Sequence, residues 1–360
     1  MLALAQVLGD RGHHVVMLSQ PSVQERAEAV GCHFSPFSTV PDYEPGKTIE
    51  EQIAVALPVI TGKAVGDDLL GMAQAHAIDL VVVDANLAGA LAAVETIEQP
   101  SVVLLHSMYA TFVDTWFADI WPMLGPAVNE TRNRYGLAPV GDWASVFAGH
   151  DRLLSVVPAV FEAPVADPPA AMRQFGFLHP RPPPVDDAPG FPPGDGPAVL
   201  VGLSTTYQHQ EPLLRSILEA LHALGARGLV TTGGHVDIAS LQVPPSVHVE
   251  EQVAHSLVLP ETDVMVTHAG LGSVAAALTF GVPMVCTPMG RDQPLNAARV
   301  ATLGAGLALP AEASVRQLAQ AIEEVVSQPS YRKAAQSIAM ASRRGGGPPA
   351  AADELETLLS

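Results

Sequence analysis

Two patterns alternate along this chain. Short apolar runs without helical period recur at 14–19, 32–37, 79–83, 101–105 and 152–157, and again at 198–203, 228–232, 246–250, 263–267 and 282–286. Runs of this kind suit strands buried on both faces of a parallel sheet. Between them lie stretches with apolar residues on one helical face. The first is 1–9, with Leu4 and Leu8 on one side; 21–30 follows, then 48–76 with an internal Pro58 expected to kink it, then 87–96. In the second half, 211–224 carries Leu213, Leu214, Ile217, Leu218, Leu221 and Leu224 on one stripe and stops at Gly225. Further helices are predicted over 253–260, from Ser273 to Gly281, and near 314–327, 329–342 and 351–359. Strand and helix in alternation with short connections predict an α/β protein with parallel, doubly wound sheets. Periodicity disappears between 158 and 197, where prolines crowd together (PRPPPVDDAPGFPPGDGP), so a stiff linker is expected with a domain boundary near 180–196.

Composition narrows the class. At 360 residues the chain can form two domains, each with a core of its own. No apolar run is long enough to span a bilayer, and residues 1–5 lack the basic leader and cleavage site of a signal peptide. The net charge of −19 argues against nucleic acid and against an anionic membrane surface as partners. Cys32 and Cys286 lie far apart in apolar runs, which reads as structural thiols in a reducing cytosol. No His, Cys and Asp cluster has metal-ligand spacing, so neither a metal nor a cofactor is expected.

The chemistry concentrates between 266 and 300. A buried strand ends at Thr267 and runs into His268-Ala269-Gly270-Leu271-Gly272-Ser273, which opens a helix. Free backbone N–H groups, small residues and a ring N–H at a helix N-terminus hold an anion well, so the local reading is a phosphate or diphosphate site. His268 alone could equally be a buried, satisfied histidine, and Asp292 alone a helix N-cap. Asp84 stands at the C-terminal end of a buried strand, where open α/β sheets place ligands. Residues 106–126 gather Met, Tyr, Trp and Phe in a chain that is only 5% aromatic. They read either as a core-packing helix pair or as the lining of an apolar pocket.

His-x-Gly-x-Gly-Ser at 268–273, Gly281-Val282-Pro283, Pro288, Asp292-Gln293 and Asn296 together resemble the nucleotide-sugar signature of family 1 glycosyltransferases, the bacterial natural-product branch above all. The resemblance implies a GT-B fold, two Rossmann-like doubly wound domains facing a cleft. It implies an acceptor domain over 1–180, a linker over 181–197, a donor domain over 198–340, and a last helix over 341–360 returning to the first domain. A nucleotide sugar and a small-molecule aglycone would be its partners, with homodimer formation left open, and sugar transfer would be inverting and metal-independent. Carried over by residue, His268, Gly270, Gly272 and Ser273 would contact the donor diphosphate, as would Ser204 and Thr205. Asp292 and Gln293 would bind the sugar hydroxyls, and Val253 would lie against the base. Met108, Phe112 and Trp116 are the acceptor candidates.

Two departures from the family pattern matter. The family's glutamate for the donor ribose is replaced here by Ala276, which implies a deoxythymidine diphosphate (dTDP) sugar rather than a UDP-sugar. The resemblance also gives Asp84 the role of orienting a catalytic base histidine, and that histidine would lie on a strand ahead of residue 1. His13 and His14 belong to the segment after the first helix and do not match it. Loss of a central strand would leave its neighbours without backbone partners, which favours a truncated chain. The rival expectations are a non-catalytic nucleotide-sugar binding protein and a nucleotide-sugar 2-epimerase; the latter needs carboxylates around the sugar that are not evident.

Overall fold

The computed structural model describes every residue except 39, 41–48, 179–188, 205–209, 235 and 360. The chain divides into two compact units, Met1–Arg181 with Arg344–Ser360, and Pro182–Arg343. The strands are β1 (Val16–Ser19), β2 (His33–Pro36), β3 (Val81–Asp84), β4 (Ser101–Leu105), β5 (Arg152–Ser155), β6 (Met172–Gln174), β7 (Ala198–Gly202), β8 (Arg227–Thr231), β9 (Val247–Glu250), β10 (Val264–Thr267), β11 (Met284–Cys286) and β12 (Gly306–Ala308).

The second unit is one six-stranded parallel sheet in the order β12-β11-β10-β7-β8-β9. Strands β7 and β10 are buried along their whole length, which accounts for the uninterrupted apolar runs in the sequence. Helix Glu211–Leu224 lays Leu214, Ile217, Leu218 and Leu221 into the core and ends at Gly225, whose φ of 60° is the left-handed cap. Helix Val315–Ser327 joins the same core through Leu318, Ile322 and Val325, and starts at a Ser314–Gln317 capping box. Each fully buried leucine here contributes roughly 1.5–3 kcal/mol. The chain crosses from β9 back to β10 beside β7, so the strand order reverses between β7 and β10. In open α/β sheets, that reversal is where ligands bind at the strands' C-terminal ends.

The first unit holds four parallel strands in the order β3-β4-β5-β6 and a separate parallel pair, β1-β2. Among the described residues β3 pairs only with β4 and β1 only with β2. Helix Leu2–Asp10 serves both sets. Its Leu4 shares a core with Val102, Leu104 and Leu154, while Ala5 packs with Met17, Ala27 and Cys32. Helix Gly347–Glu356 returns to this unit with Ala351, Ala352 and Leu355 in the Leu4 core. Arg11 holds it through Asp353 at 2.7 Å and Glu356 at 2.8 Å, and Arg152 through Glu354.

Local features depart from the pattern in instructive ways. The stretch 48–76 is two helices, Ile49–Thr61 and Ala64–Ala75, and Pro58 sits inside the first. The break falls at Gly62, and helix Ala88–Val94 approaches it so closely that a Cβ on Gly89 would lie 1.9 Å from the Gly62 carbonyl oxygen. The helix expected over 253–260 is a single turn, His255–Val258, followed by a 3-10 turn, Leu259–Glu261. The short strands β6 and β12 carry too few residues for period to reveal them.

Candidate functional site

In the second unit, β10 delivers His268 to the sheet's C-terminal edge beside the end of β7. Its Nδ1 lies 3.3 Å from the Gly202 carbonyl oxygen, bridging the point where strand order reverses. A carbonyl only accepts, so Nδ1 carries the proton and Nε2 is the nitrogen left for another partner. Burial pushes the imidazole pKa down, against the Gly202 carbonyl and the nearby Asp292 charge, which raise it. Ala269 then takes a left-handed φ of 63°, a conformation that costs a non-glycine residue of order 1 kcal/mol. Helix Leu271–Phe280 begins directly after Gly270, with no side chain capping its N-terminus. Its first-turn N–H groups are the anion-binding dipoles expected from the sequence, although the helix starts two residues earlier than Ser273.

A second turn is tied to the first. Asp292 precedes helix Gln293–Thr302, and its Oδ2 accepts from Asn296 Nδ2 at 2.9 Å. The same Nδ2 donates to the Ala269 carbonyl at 3.0 Å. Fully buried Asn296 therefore holds the strained Ala269 peptide and sets Asp292 close to His268. Gln293 is buried too, and its Oε1 accepts from the N–H groups of Met289 at 2.9 Å and Gly290 at 3.2 Å. That oxygen shapes the loop. Ser204 is buried two residues past β7, while Thr205 lies outside the described residues. Val253 is half-buried before the His255 turn. His255, which sequence reasoning passed over, sits under the same edge with Nε2 3.3 Å from Thr231 Oγ1, and its pKa is lowered by burial and then by His268.

The first unit shows a feature that the sequence reading missed. Asp84 pairs in register with Leu104, so the ends of β3 and β4 put Asp84 beside His106. His106 Nδ1 is 3.0 Å from Asp84 Oδ2, and Asn86 Nδ2 is 3.2 Å from His106 Nε2. The Asn86 N–H donates to Asp84 Oδ1 at 2.9 Å. Burial works to raise the Asp84 pKa, but the His106 charge and hydrogen bond, together with the Asn86 N–H, hold it below the ordinary carboxylate value. Asp84 thus has a histidine partner within the chain. The signal was available: His106 directly follows a buried strand, as His268 does.

Of the acceptor candidates, Met108 and Phe112 are buried in unit 1. Phe112 stacks on Phe117 at 4.2 Å and meets Trp143 and Phe147 edge-on. These rings pack around Phe112 on three sides. Trp116 is exposed and meets Phe117 edge-on. Among the described residues no group of three or more His, Cys, Asp or Glu could hold a metal, and no helix is long and apolar enough to cross a membrane.

Known proteins can now be set beside this geometry. Residues 215–358 match the family described as "Erythromycin biosynthesis protein CIII-like, C-terminal domain". The 4'-demethylrebeccamycin synthase of Lentzea aerocolonigenes is 28% identical, with 92% of this chain and 89% of that protein covered. The demethyllactenocin mycarosyltransferase of Streptomyces fradiae is 34% identical over 47% of this chain and 37% of its own length. Among solved structures, the glycotransferase of kitacinnamycin superposes with a TM-score of 0.84 at 24% identity, covering 100% of this chain and 95% of that one. The glycosyltransferase VinC in complex with dTDP gives 0.76 at 20% identity, covering 100% and 95%.

The fold is therefore that of the GT-B glycosyltransferases. Over 215–358 the chain matches the erythromycin biosynthesis protein CIII-like family, and over most of its length it is similar to a glycosyltransferase-type enzyme of natural-product biosynthesis, the 4'-demethylrebeccamycin synthase.

Proposed function

We propose that the chain moves a sugar from a dTDP-linked donor to a hydroxyl of an apolar natural-product aglycone, with unit 2 as the donor domain and unit 1 as the acceptor domain. One observation carries the donor assignment. Asn296 locks the His268–Gly270 turn and the Asp292 turn together at the strand-order reversal, beside an uncapped helix N-terminus. In this reading the diphosphate accepts from the N–H groups of Gly270, Gly272 and Ser273, from the Ser273 hydroxyl and from His268. Ser204 lies across from them after β7. These donors gain strength as the leaving diphosphate develops charge, which is where catalysis profits from them. Asp292 and Gln293 meet the sugar hydroxyls, Asp292 as an acceptor. Val253 lies against the base. Trp116 is the exposed aromatic left to meet an apolar acceptor.

Ala276 lies in the second turn of helix Leu271–Phe280 and offers no carboxylate to a ribose. A deoxyribose loses less from that absence, which favours dTDP. The relatives agree in kind: a spinosyn rhamnosyltransferase of the same fold is known with thymidine diphosphate and with its aglycone. Buried, unpaired Cys32 and Cys286, the latter with its thiol pKa pushed up to about 12 by burial, suit a reducing cytoplasm.

Titration calorimetry of the chain with dTDP and with UDP tests this. Tight dTDP and weaker UDP binding is expected, with A276E shifting preference toward UDP by roughly tenfold, the worth of one hydrogen bond to a charged group. Equal affinities would remove the dTDP assignment, and no binding of either would remove the donor site.

A further inference from the structure

The turn that carries Asp292 holds a residue that none of the expected donor contacts explains. Gly290, Arg291, Asp292 and Gln293 form a tight turn, closed by the Gln293 N–H to the Gly290 carbonyl at 3.2 Å. Arg291 takes φ 59° at the first central position, and Asp292 takes φ −80° and ψ −7° at the second. That pattern belongs to a type II′ turn, whose first central position is dominated by glycine. An arginine there strains the backbone. Among the described residues Ala269 and Arg291 are the two non-glycine residues with positive φ, and they stand in the two turns that make the site. One amide ties these turns together. Asn296 Nδ2 donates to the Ala269 carbonyl at 3.0 Å and to the side chain of Asp292, next to Arg291, at 2.9 Å. On the other side, Gln293 Oε1 takes the Gly290 N–H at 3.2 Å. Two buried side chains, Asn296 and Gln293, therefore hold the chain on both sides of Arg291 in a conformation that arginine disfavours. Strain held in place in this way clusters where a ligand is clamped.

Charge says which ligand. The chain has 18 Lys and Arg against 37 Asp and Glu, for a net charge of −19. A diphosphate approaching such a chain is repelled unless the site is locally positive. The other groups placed at the diphosphate are N–H dipoles, hydroxyls and His268, none of them a fixed cation. Arg291 is exposed, and its charge reaches the histidine: burial is the main influence holding the His268 pKa down, Asp292 raises it, and Arg291 lowers it further.

We propose that Arg291 is a donor-binding residue whose guanidinium meets the diphosphate, and that the strained turn is kept in order to aim it. A guanidinium is always charged and presents paired N–H donors that match phosphate oxygens. Asp292 and Gln293 follow in the chain toward the sugar, so one turn serves both parts of the donor. Glycine at 291 would relax the backbone and give up the charge.

The inference rests on the reading of unit 2 as the donor unit. The full chain as wild type, Arg291→Gly and Arg291→Gln is titrated with dTDP by calorimetry and melted without ligand. Arg291→Gly relieves the turn and removes the guanidinium together, so its melting temperature should hold or rise while the dTDP dissociation constant rises roughly tenfold or more. Arg291→Gln keeps the strain and loses only the charge, so it should melt with wild type and lose a similar factor in affinity. Added sodium chloride should weaken dTDP binding more steeply in wild type than in either variant, because the variants lack a charge contact that salt screens. Wild-type affinity in Arg291→Gln would overturn the proposal. So would Arg291→Gly that melts lower with its affinity unchanged, the mark of a purely structural arginine. A wild-type chain that binds no dTDP refutes the donor reading, and the proposal with it.

Discussion

A single methyl group tests whether His268 touches the donor. A Cβ on Gly270 would lie 2.4 Å from His268 Nε2, 3.2 Å from Cε1 and 3.3 Å from Cδ2. All three atoms belong to the far end of one side chain, so Gly270→Ala displaces the ring and leaves the backbone where it is. Gly270 itself has φ −59° and ψ 139°, which alanine adopts without strain. The ring's hydrogen bond to Gly202 is long at 3.3 Å, so tilting the ring costs the fold no more than about 1 kcal/mol. Donor binding loses more. One hydrogen bond between a charged diphosphate and the imidazole is worth about 1.5–3 kcal/mol, and each 1.4 kcal/mol is a factor of ten. The dTDP dissociation constant should therefore rise roughly ten- to 150-fold. Gly272→Ala is the control. Nothing lies within 4 Å of its Cβ, and it sits in the first turn of the helix, where alanine should stabilise by about 0.5–1 kcal/mol. Calorimetry of both variants, with thermal melts alongside, completes the test. If Gly270→Ala stays folded and binds dTDP as tightly as wild type, His268 does not hold the diphosphate.

Other outcomes follow from the same structure. Burial keeps the free His268 pKa below its ordinary value of 6.5, and its Nδ1 proton is committed to Gly202. To donate from Nε2 the ring must gain a second proton, so dTDP binding at about pH 8, where the diphosphate is already ionised, should take up protons; calorimetry in buffers of different ionisation enthalpy would detect it, and zero uptake would count against the contact. The sign follows: affinity rises as pH falls toward the raised pKa of the complex. Elsewhere, Arg132 and Glu95 form a two-pronged ion pair with side chains only 7% and 14% exposed. Glu95→Ala strands the guanidinium and should destabilise unit 1 by about 3–5 kcal/mol. Trp116, Trp121 and Trp143 all lie in that unit, so tryptophan fluorescence during urea unfolding isolates the effect. An unshifted midpoint would show the arginine well solvated without its partner.

Much of the donor unit is legible in the sequence because its determinants are local. Strands β7 and β10 are buried on both faces, so their apolar runs are continuous, and the Glu211–Leu224 stripe exists because one helix face meets the sheet. The turn after β10 announces itself through small residues and a histidine at a strand end. The roles of Asn296 and His106 were not legible. Asn296 acts by reaching 27 residues back to Ala269, and the Asp84–His106 pair exists only because β3 and β4 are adjacent and Asp84 registers with Leu104. Composition likewise left Phe112 open between pocket and core, and its ring contacts with Phe117 and Trp143 come only with the tertiary structure. Periodicity along the chain therefore determined which segments are strands and helices and where a phosphate could sit, since those depend on residues a few positions apart. Which side chains meet across strands, and so which histidine faces a carboxylate, was decided by strand order and register, which no local pattern encodes.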